Sequence, residues 1–285
     1  MSTEEAFART YGVELLCDGP PSIEKHVLLE RVQRYCPDAK LLDPNPNTQL
    51  IALVHPTHHV KVADAVLPAQ TLVAAANKTP NPEVLESSLE QTWEFPNARS
   101  VVQSSTASVL VADVMSATLE YRARLTLFQD CLRGALDAIP CAAVHWRPSG
   151  RIVDPAAWVE DYDSNDAARR FFAGAVNVRL FKIQSSTGAA TGEIVMDTLG
   201  LAALGLIDVQ CHFQGLDPSQ VARLLYNTAY YLFCEGDVIA DGHTIEGVRR
   251  GSKWRCQHER SLIGPERVVL DLNPGPEYAT GSRAN

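Results

Sequence analysis

The segment His55-Pro56-Thr57-His58-His59 places three of the chain's eight histidines within five residues. Imidazole nitrogens suit zinc, nickel and copper, and a turn can aim two or three of them at one ion. His55, His58 and His59 are therefore the candidate metal ligands. The competing reading is a polar turn between two strands with Pro56 as the turn former, because the segment lacks helical H-E-x-x-H spacing and any nearby cysteine or carboxylate. Asp161-Tyr162-Asp163-Ser164-Asn165-Asp166 opens like a calcium loop, but Asp166 and Phe172 stand where such a loop needs glycine and glutamate, so it reads as a solvated acidic linker. Cys256 and His258 share one face of an expected strand. Same-face neighbours are about 7 Å apart at Cα, too far for a nucleophile and its base. Trp254 and Cys256 then belong to the core, and His258 to its edge. His145 and His243 complete no known motif, and no catalytic residue and no cofactor are expected.

These residues hang on a chain of alternating strands and helices. Strands are expected at Val13 to Cys17, Thr48 to His55, Val60 to Val66, Arg99 to Ala112, Cys141 to Trp146 and Asp208 to Phe213. Turns fall at Asp18 to Pro21 and at Asp43 to Asn47. Helices follow from apolar residues at helical spacing: Ile23 to Cys36, Pro82 to Trp93, and Tyr121 to Ile139 with Glu120, Arg124, Asp130, Arg133 and Asp137 off its apolar stripe. Asp154-Pro155 and Asp217-Pro218-Ser219-Gln220 are helix starts by cap and first-turn proline chemistry. Val176 to Ile183 and Glu193 to Met196 flank the loop Ser185 to Gly188 as a hairpin. Val238 to Ala240, Lys253 to Glu259 and Arg267 to Leu272 are the closing strands.

Hairpins outnumber clean β-α-β units, so the expected fold is α+β. It consists of two packed halves with mixed or antiparallel sheets and helices on one face, in a ferredoxin-like arrangement. The boundaries are residues 1–165, 166–273 and a flexible tail 274–285. A chain of 285 residues with 46% hydrophobic residues can bury a core without disulfides or metals. Its seven cysteines are widely spaced without a C-x-x-C and mostly sit in apolar patterns, which reads as a reducing compartment. The opening Met1 to Ala6 has no secretory character, and the apolar run Leu199 to Ile207 is too short to cross a bilayer. The expected location is the cytoplasm. A net charge of −9 argues against a nucleic-acid partner and suits a basic protein surface.

Thr198-Leu199-Gly200-Leu201, Leu204-Gly205-Leu206-Ile207-Asp208, Asp241-Gly242-His243-Thr244-Ile245 and Lys253-Trp254-Arg255 with Ser261-Leu262 resemble the bacterial domain-of-unknown-function family 4261. Ala142 to Trp146, with Ser149, Gly150 and Val153, is similar to that family's mid-chain segment. The resemblance implies an architecture from about Val13 to Leu272 and carries no activity. Its glycines, Gly200 and Gly205, are explained by positive φ or close backbone approach. The expectation is a non-enzymatic binding protein with a protein partner, such as an immunity or antitoxin-like protein facing a cognate toxin or effector. The alternatives are a metal-dependent hydrolase built on His55 to His59, or a structural part of a secretion machine.

Overall fold

The computed structural model describes residues 11–43, 50–62, 65–76, 79–184, 188 and 190–281. Met1 to Ala6, Pro44 to Asn47 of the expected turn, Thr48 and Gln49 of the expected strand, Ser185 to Thr187 of the expected loop, and residues 282–285 of the expected tail lie outside them. The chain forms two compact units that meet in sequence at Ala175 and Val176, rather than at 165 and 166. The difference comes from the helix after Asp166, whose Arg170 carbonyl accepts from Gln129 Nε2 at 2.9 Å and whose guanidinium pairs with Asp130.

The N-terminal unit is built on strands β1 (Gly12–Cys17), β2 (Lys40–Leu41), β3 (Leu50–Val62), β4 (Ala65–Ala76), β5 (Ala107–Val114), β6 (Ala143–Trp146) and β7 (Arg151–Val153). They form one antiparallel sheet in the order β2-β3-β4-β5-β1-β6-β7. Its helices are α1 (Lys25–Val32), α2 (Glu86–Glu90), α3 (Ala98–Ser104), α4 (Tyr121–Ala138), α5 (Pro155–Asp163) and α6 (Ala167–Phe172). Strand alternation puts Tyr11, Val13 and Leu15 on the face toward α4 and Leu16 on the other, where α2 and α3 pack Leu85, Leu89, Ala98 and Val102 against Leu16, Ala143 and Ile152. Helices thus cover both faces of this sheet, not one, and it is no ferredoxin-like four-stranded layer. Residues 99–104, expected as strand, belong to helix α3 because Ala98 and Val102 bury one helical face against that second layer.

Helix α4 is the pillar of the unit. Glu120 caps it, accepting from the backbone N–H groups of Arg122 and Ala123 at 3.1 Å each. Arg124, which the stripe places toward solvent, is instead 2% exposed and donates to Asp113 on β5 at 2.5 Å. The same carboxylate accepts the Tyr11 backbone N–H at 2.5 Å, so one ion pair ties α4, β5 and β1. Gly134 sets the approach of α1: a Cβ there would lie 2.4 Å from Val32 Cα.

The C-terminal unit holds β8 (Asn177–Gln184), β9 (Ala190–Leu199), β10 (Asp208–Phe213), β11 (Thr244–Glu246), β12 (Lys253–Arg260) and β13 (Val268–Asn273). The sheet order is β11-β12-β13-β10-β9-β8, with β10 and β13 parallel and the rest antiparallel. Helix α7 (Pro218–Glu235) packs on β8, β9 and β10, and its Asp217 cap accepts from Ser219 N–H at 2.9 Å. The α+β class holds in both units. Residues 274–281, expected in the flexible tail, return to the sheet: Phe213 bridges Ala279, and Gln214 N–H donates to Tyr278 O at 2.9 Å.

Gly134→Ala is expected to destabilise the protein by about 1–3 kcal/mol, because the added methyl must push α1 off α4. Denaturant unfolding monitored by circular dichroism measures this, and an unchanged midpoint would contradict the assigned contact.

Candidate functional site

The expected histidine turn is not a turn. Strand β3 runs through it, and the register with β4 shifts from His55↔Ala69 to His59↔Pro68, leaving Pro56, Thr57 and His58 in a bulge. Asp38 fixes that bulge by accepting from Thr57 N–H at 2.9 Å and Thr57 Oγ1 at 2.6 Å. The three histidines are consequently not gathered on one point: the rings of His55 and His58 stay edge-to-face at 6.4 Å, and His59 turns outward. His55 is fully buried with Ile51 and Leu53 on the helix-facing side, His58 bonds Thr57 Oγ1 at 3.2 Å, and His59 is exposed.

His55 meets two cysteines in place of its sequence neighbours. Its Nε2 is 3.5 Å from Cys131 Sγ on α4, and Cys131 Sγ is 3.6 Å from Cys36 Sγ in the turn after α1. Thr71 on β4 completes the group, its Oγ1 lying 3.0 Å from His55 Nε2 and 3.5 Å from Cys131 Sγ. Cys36, His55, Thr71 and Cys131 are 4%, 0%, 2% and 1% exposed. The Cys36 thiol donates into Cys131 and, with the imidazole, draws the Cys131 thiol down to about 5 against the opposing effect of burial. Cys36 is pushed up in turn, first by that bond and then by burial. Burial lowers the His55 imidazole, but the bond to Cys131 and the charges of Cys131 and Asp38 outweigh it and raise it. Among the described residues this is the one group of three metal-ligating side chains whose donor atoms all lie within 4.8 Å of one another.

Other polar sets in this unit are already committed to one another. Glu14 and His145 face each other across β1 and β6, with Nδ1 to Oε2 at 3.6 Å, and His145 Nε2 is 3.4 Å from Ser88 Oγ on α2. The order resembles an acyl-transfer relay. Ser88, however, is 8% exposed in a helix that lies on the sheet, so the set clamps α2 in place. The calcium-like oxygens are spent on arginines and caps: Asp161 pairs Arg169 at 2.7 Å, Asp163 pairs Arg133 at 3.4 Å, and Asp166 caps α6. The segment before and through α2 leaves Val84 73% and Trp93 51% exposed among the exposed Glu83, Glu90 and Glu94.

In the C-terminal unit a row of polar side chains crosses the sheet in register: Arg179↔Asp197↔Gln210↔Asp271. Arg267 lies over it, donating to Asp208 at 3.0 Å, Asp197 at 2.8 Å and the Thr198 carbonyl at 2.8 Å, while Arg179 holds Asp197 from the other side at 2.5 Å. Asp197 and Asp208 are fully buried, and burial raises the Asp208 carboxyl despite Arg267. Thr198 Oγ1 and the Leu201 N–H also donate to Asp208, both at 3.1 Å, which anchors the Gly200 to Gly205 turn, where Gly205 has a φ of 79°. Cys256 is core, its thiol pushed up to about 11 by burial. His258 binds Asp241 through Nδ1 at 2.7 Å and Asp237 through Nε2 at 3.4 Å.

Residues 197–273 match the family model described as a domain of unknown function, DUF4261. The matched span opens on Asp197 and encloses Asp208, Gln210, Arg267 and Asp271, so the family segment contains all of the buried network except Arg179. The mid-chain segment Ala142 to Val153 lies outside it. No curated protein and no solved structure matches the chain.

Sequence spacing could not bring Cys36, Thr71 and Cys131 to His55, since each comes from a different element. The Arg267 network had one legible trace, the acidic Asp208 after the Gly-Leu run. Arg267→Ala is expected to cost roughly 3–5 kcal/mol, because two buried carboxylates lose their shared cation. An unfolding measurement that finds under 1 kcal/mol would refute the saturation of that network. His258 is raised by its two carboxylates, although burial opposes them. Its contribution to stability is therefore complete below the unfolded value near 6.5 and is lost as pH rises through the folded value. Melting temperatures should fall between pH 6 and pH 8.5 by more in the native chain than in His258→Gln.

Proposed function

We propose that this is a non-enzymatic binding protein, acting in the manner of an immunity or antitoxin-like protein that neutralises a toxin or effector by docking to it. The reading is carried by one observation, the exposed Trp93 among acidic side chains. A half-exposed tryptophan forfeits much of the burial free energy of the largest side chain, and tryptophan is among the residues most enriched in binding hot spots. Glu83, Glu90 and Glu94, exposed in the same segment and the last of them paired with Arg151, supply the charged rim that steers a basic partner and rejects an acidic one. Val84, 73% exposed, extends the apolar surface of the same segment.

The buried polar groups support the same reading. Asp197 and Asp208 are saturated by Arg179, Arg267, Thr198 and backbone donors, so the family-matched segment spends its charges on holding its own turn. The histidine that survives as a metal ligand candidate is fully buried, where no hydrolytic substrate reaches it.

The test is co-expression with proteins encoded beside its gene. A stable complex is expected, together with relief of that neighbour's toxicity, and Trp93→Ala should weaken the complex at least tenfold while leaving the melting temperature unchanged. Affinity should also fall as salt is raised from 0.15 to 0.5 M, as screening weakens the acidic rim. Finding neither complex nor protection would overturn the function, and a Trp93→Ala protein that binds like the native chain would overturn the surface.

A further inference from the structure

We propose that Cys36, His55 and Cys131 bind one zinc ion, with the Thr71 hydroxyl at the fourth position, and that this ion fastens the turn after α1, strands β3 and β4, and helix α4 to one another. The argument begins with distances. Zinc sits about 2.3 Å from thiolate sulfur and about 2.0 Å from imidazole nitrogen, so a tetrahedral ion holds two sulfurs about 3.8 Å apart and a sulfur and nitrogen about 3.5 Å apart. Two of the three pairs already stand at those separations, 3.6 Å between Cys36 Sγ and Cys131 Sγ and 3.5 Å between Cys131 Sγ and His55 Nε2, and all three donor atoms lie within 4.8 Å of one another.

One alternative fits less well: a Cys36–Cys131 disulfide needs its sulfurs at about 2.05 Å, which would pull them together by roughly 1.5 Å and leave His55 without its partner. A hydrogen-bonded cluster without an ion makes the same contacts, and metal content separates it from the zinc site.

Charge selects the ion. Two thiolates and a neutral imidazole carry −2, which a divalent ion cancels, whereas copper(I) would leave a net negative charge in a site where the ligands are at most 4% exposed. Soft sulfur with imidazole suits zinc, and carboxylate-seeking cations such as magnesium and calcium are excluded by the donor set. On binding, the thiol protons leave to solvent and both sulfurs stay reduced. Burial of every ligand makes the ion structural, since no position faces a substrate. The placement is independent of the partner-binding reading, as the site lies inside the N-terminal unit and Trp93 on its exterior.

The test uses the full chain without a histidine tag, produced in zinc-supplemented medium, with metal measured by mass spectrometry and thiols counted after denaturation. One equivalent of zinc and seven reactive thiols are expected. His58→Ala with His59→Ala should keep the full equivalent, and Thr71→Val should keep it with weaker affinity in a chelator competition. Cys36→Ser and Cys131→Ser should lose it. Because those two variants could also lose the fold, native protein stripped and reloaded with cobalt(II) gives an independent reading: a sulfur-to-cobalt charge-transfer band and strong tetrahedral d–d absorption. Below a tenth of an equivalent of zinc with no cobalt spectrum, a Cys36–Cys131 disulfide, or metal lost on replacing His58 and His59 would each overturn the assignment.

Discussion

The N-terminal unit depends on how closely α1 lies on α4, and Gly134 is what allows it. With no side chain at that position, Val32 reaches the backbone of α4, at a distance that a single methyl would block. The chain leaves α1 immediately after this contact, so Cys36 arrives over α4 one turn before Gly134, beside Cys131. The other end of α4 is set by Arg124 and Asp113, which lock the helix to the middle of the sheet. Between those two fixtures the helix has little freedom to slide, and Cys131 is held against β3 and β4. A buried ion pair of this kind offers modest net stability but strongly disfavours alternative registers, since any slip would strand both charges.

The C-terminal unit solves a different problem with the same means. Its sheet buries a polar row, and each member takes its partners from neighbouring strands, so the row works as a register lock for β8, β9, β10 and β13. Arg267 extends the lock to the turn between β9 and β10 by binding both the Thr198 carbonyl and Asp208. Five N–H donors on one planar guanidinium make arginine able to do this where lysine could not. That the family-matched residues 197–273 begin on this network and enclose nearly all of it fits a segment recognised by its frame rather than by a catalytic set.

How much of this was legible in the sequence follows from the range of the interactions. Helices α4 and α7 were readable because their caps and apolar stripes are local, as were β10, β12 and the core placement of Trp254 and Cys256. Residues 99–104 were misread because a Val- and Ser-rich stretch has strand propensity, and only the layer formed with Leu16 and Ile152 makes the helix favourable. Arg124 was misread for a similar reason: its polarity suits an exposed face until Asp113, on a strand that precedes it, is seen beneath it. Of the histidine segment, His55 was found by residue type alone. Its neighbours Cys36, Thr71 and Cys131 come from three other elements, beyond the reach of a pattern confined to five residues.

The bulge in β3 sets how His55 stands relative to the residues that follow it. A regular strand would continue the alternation past His55, sending Thr57 and His59 to the side that His55 faces. The inserted residues break that alternation, and the break is held by Asp38, which takes both the N–H and the hydroxyl of Thr57. Asp38 lies two residues after Cys36, separated from it by Pro37, in the same short turn. One turn therefore delivers the Cys36 sulfur to Cys131 and clamps the strand distortion that carries Thr57 and His59 outward past His55. The carboxylate also acts on the imidazole through space, favouring its charged form. Cys36, Asp38, Thr57 and His55 are thus mechanically one unit. Displacing the turn would release the bulge, and releasing the bulge would let His55 swing away from the thiols.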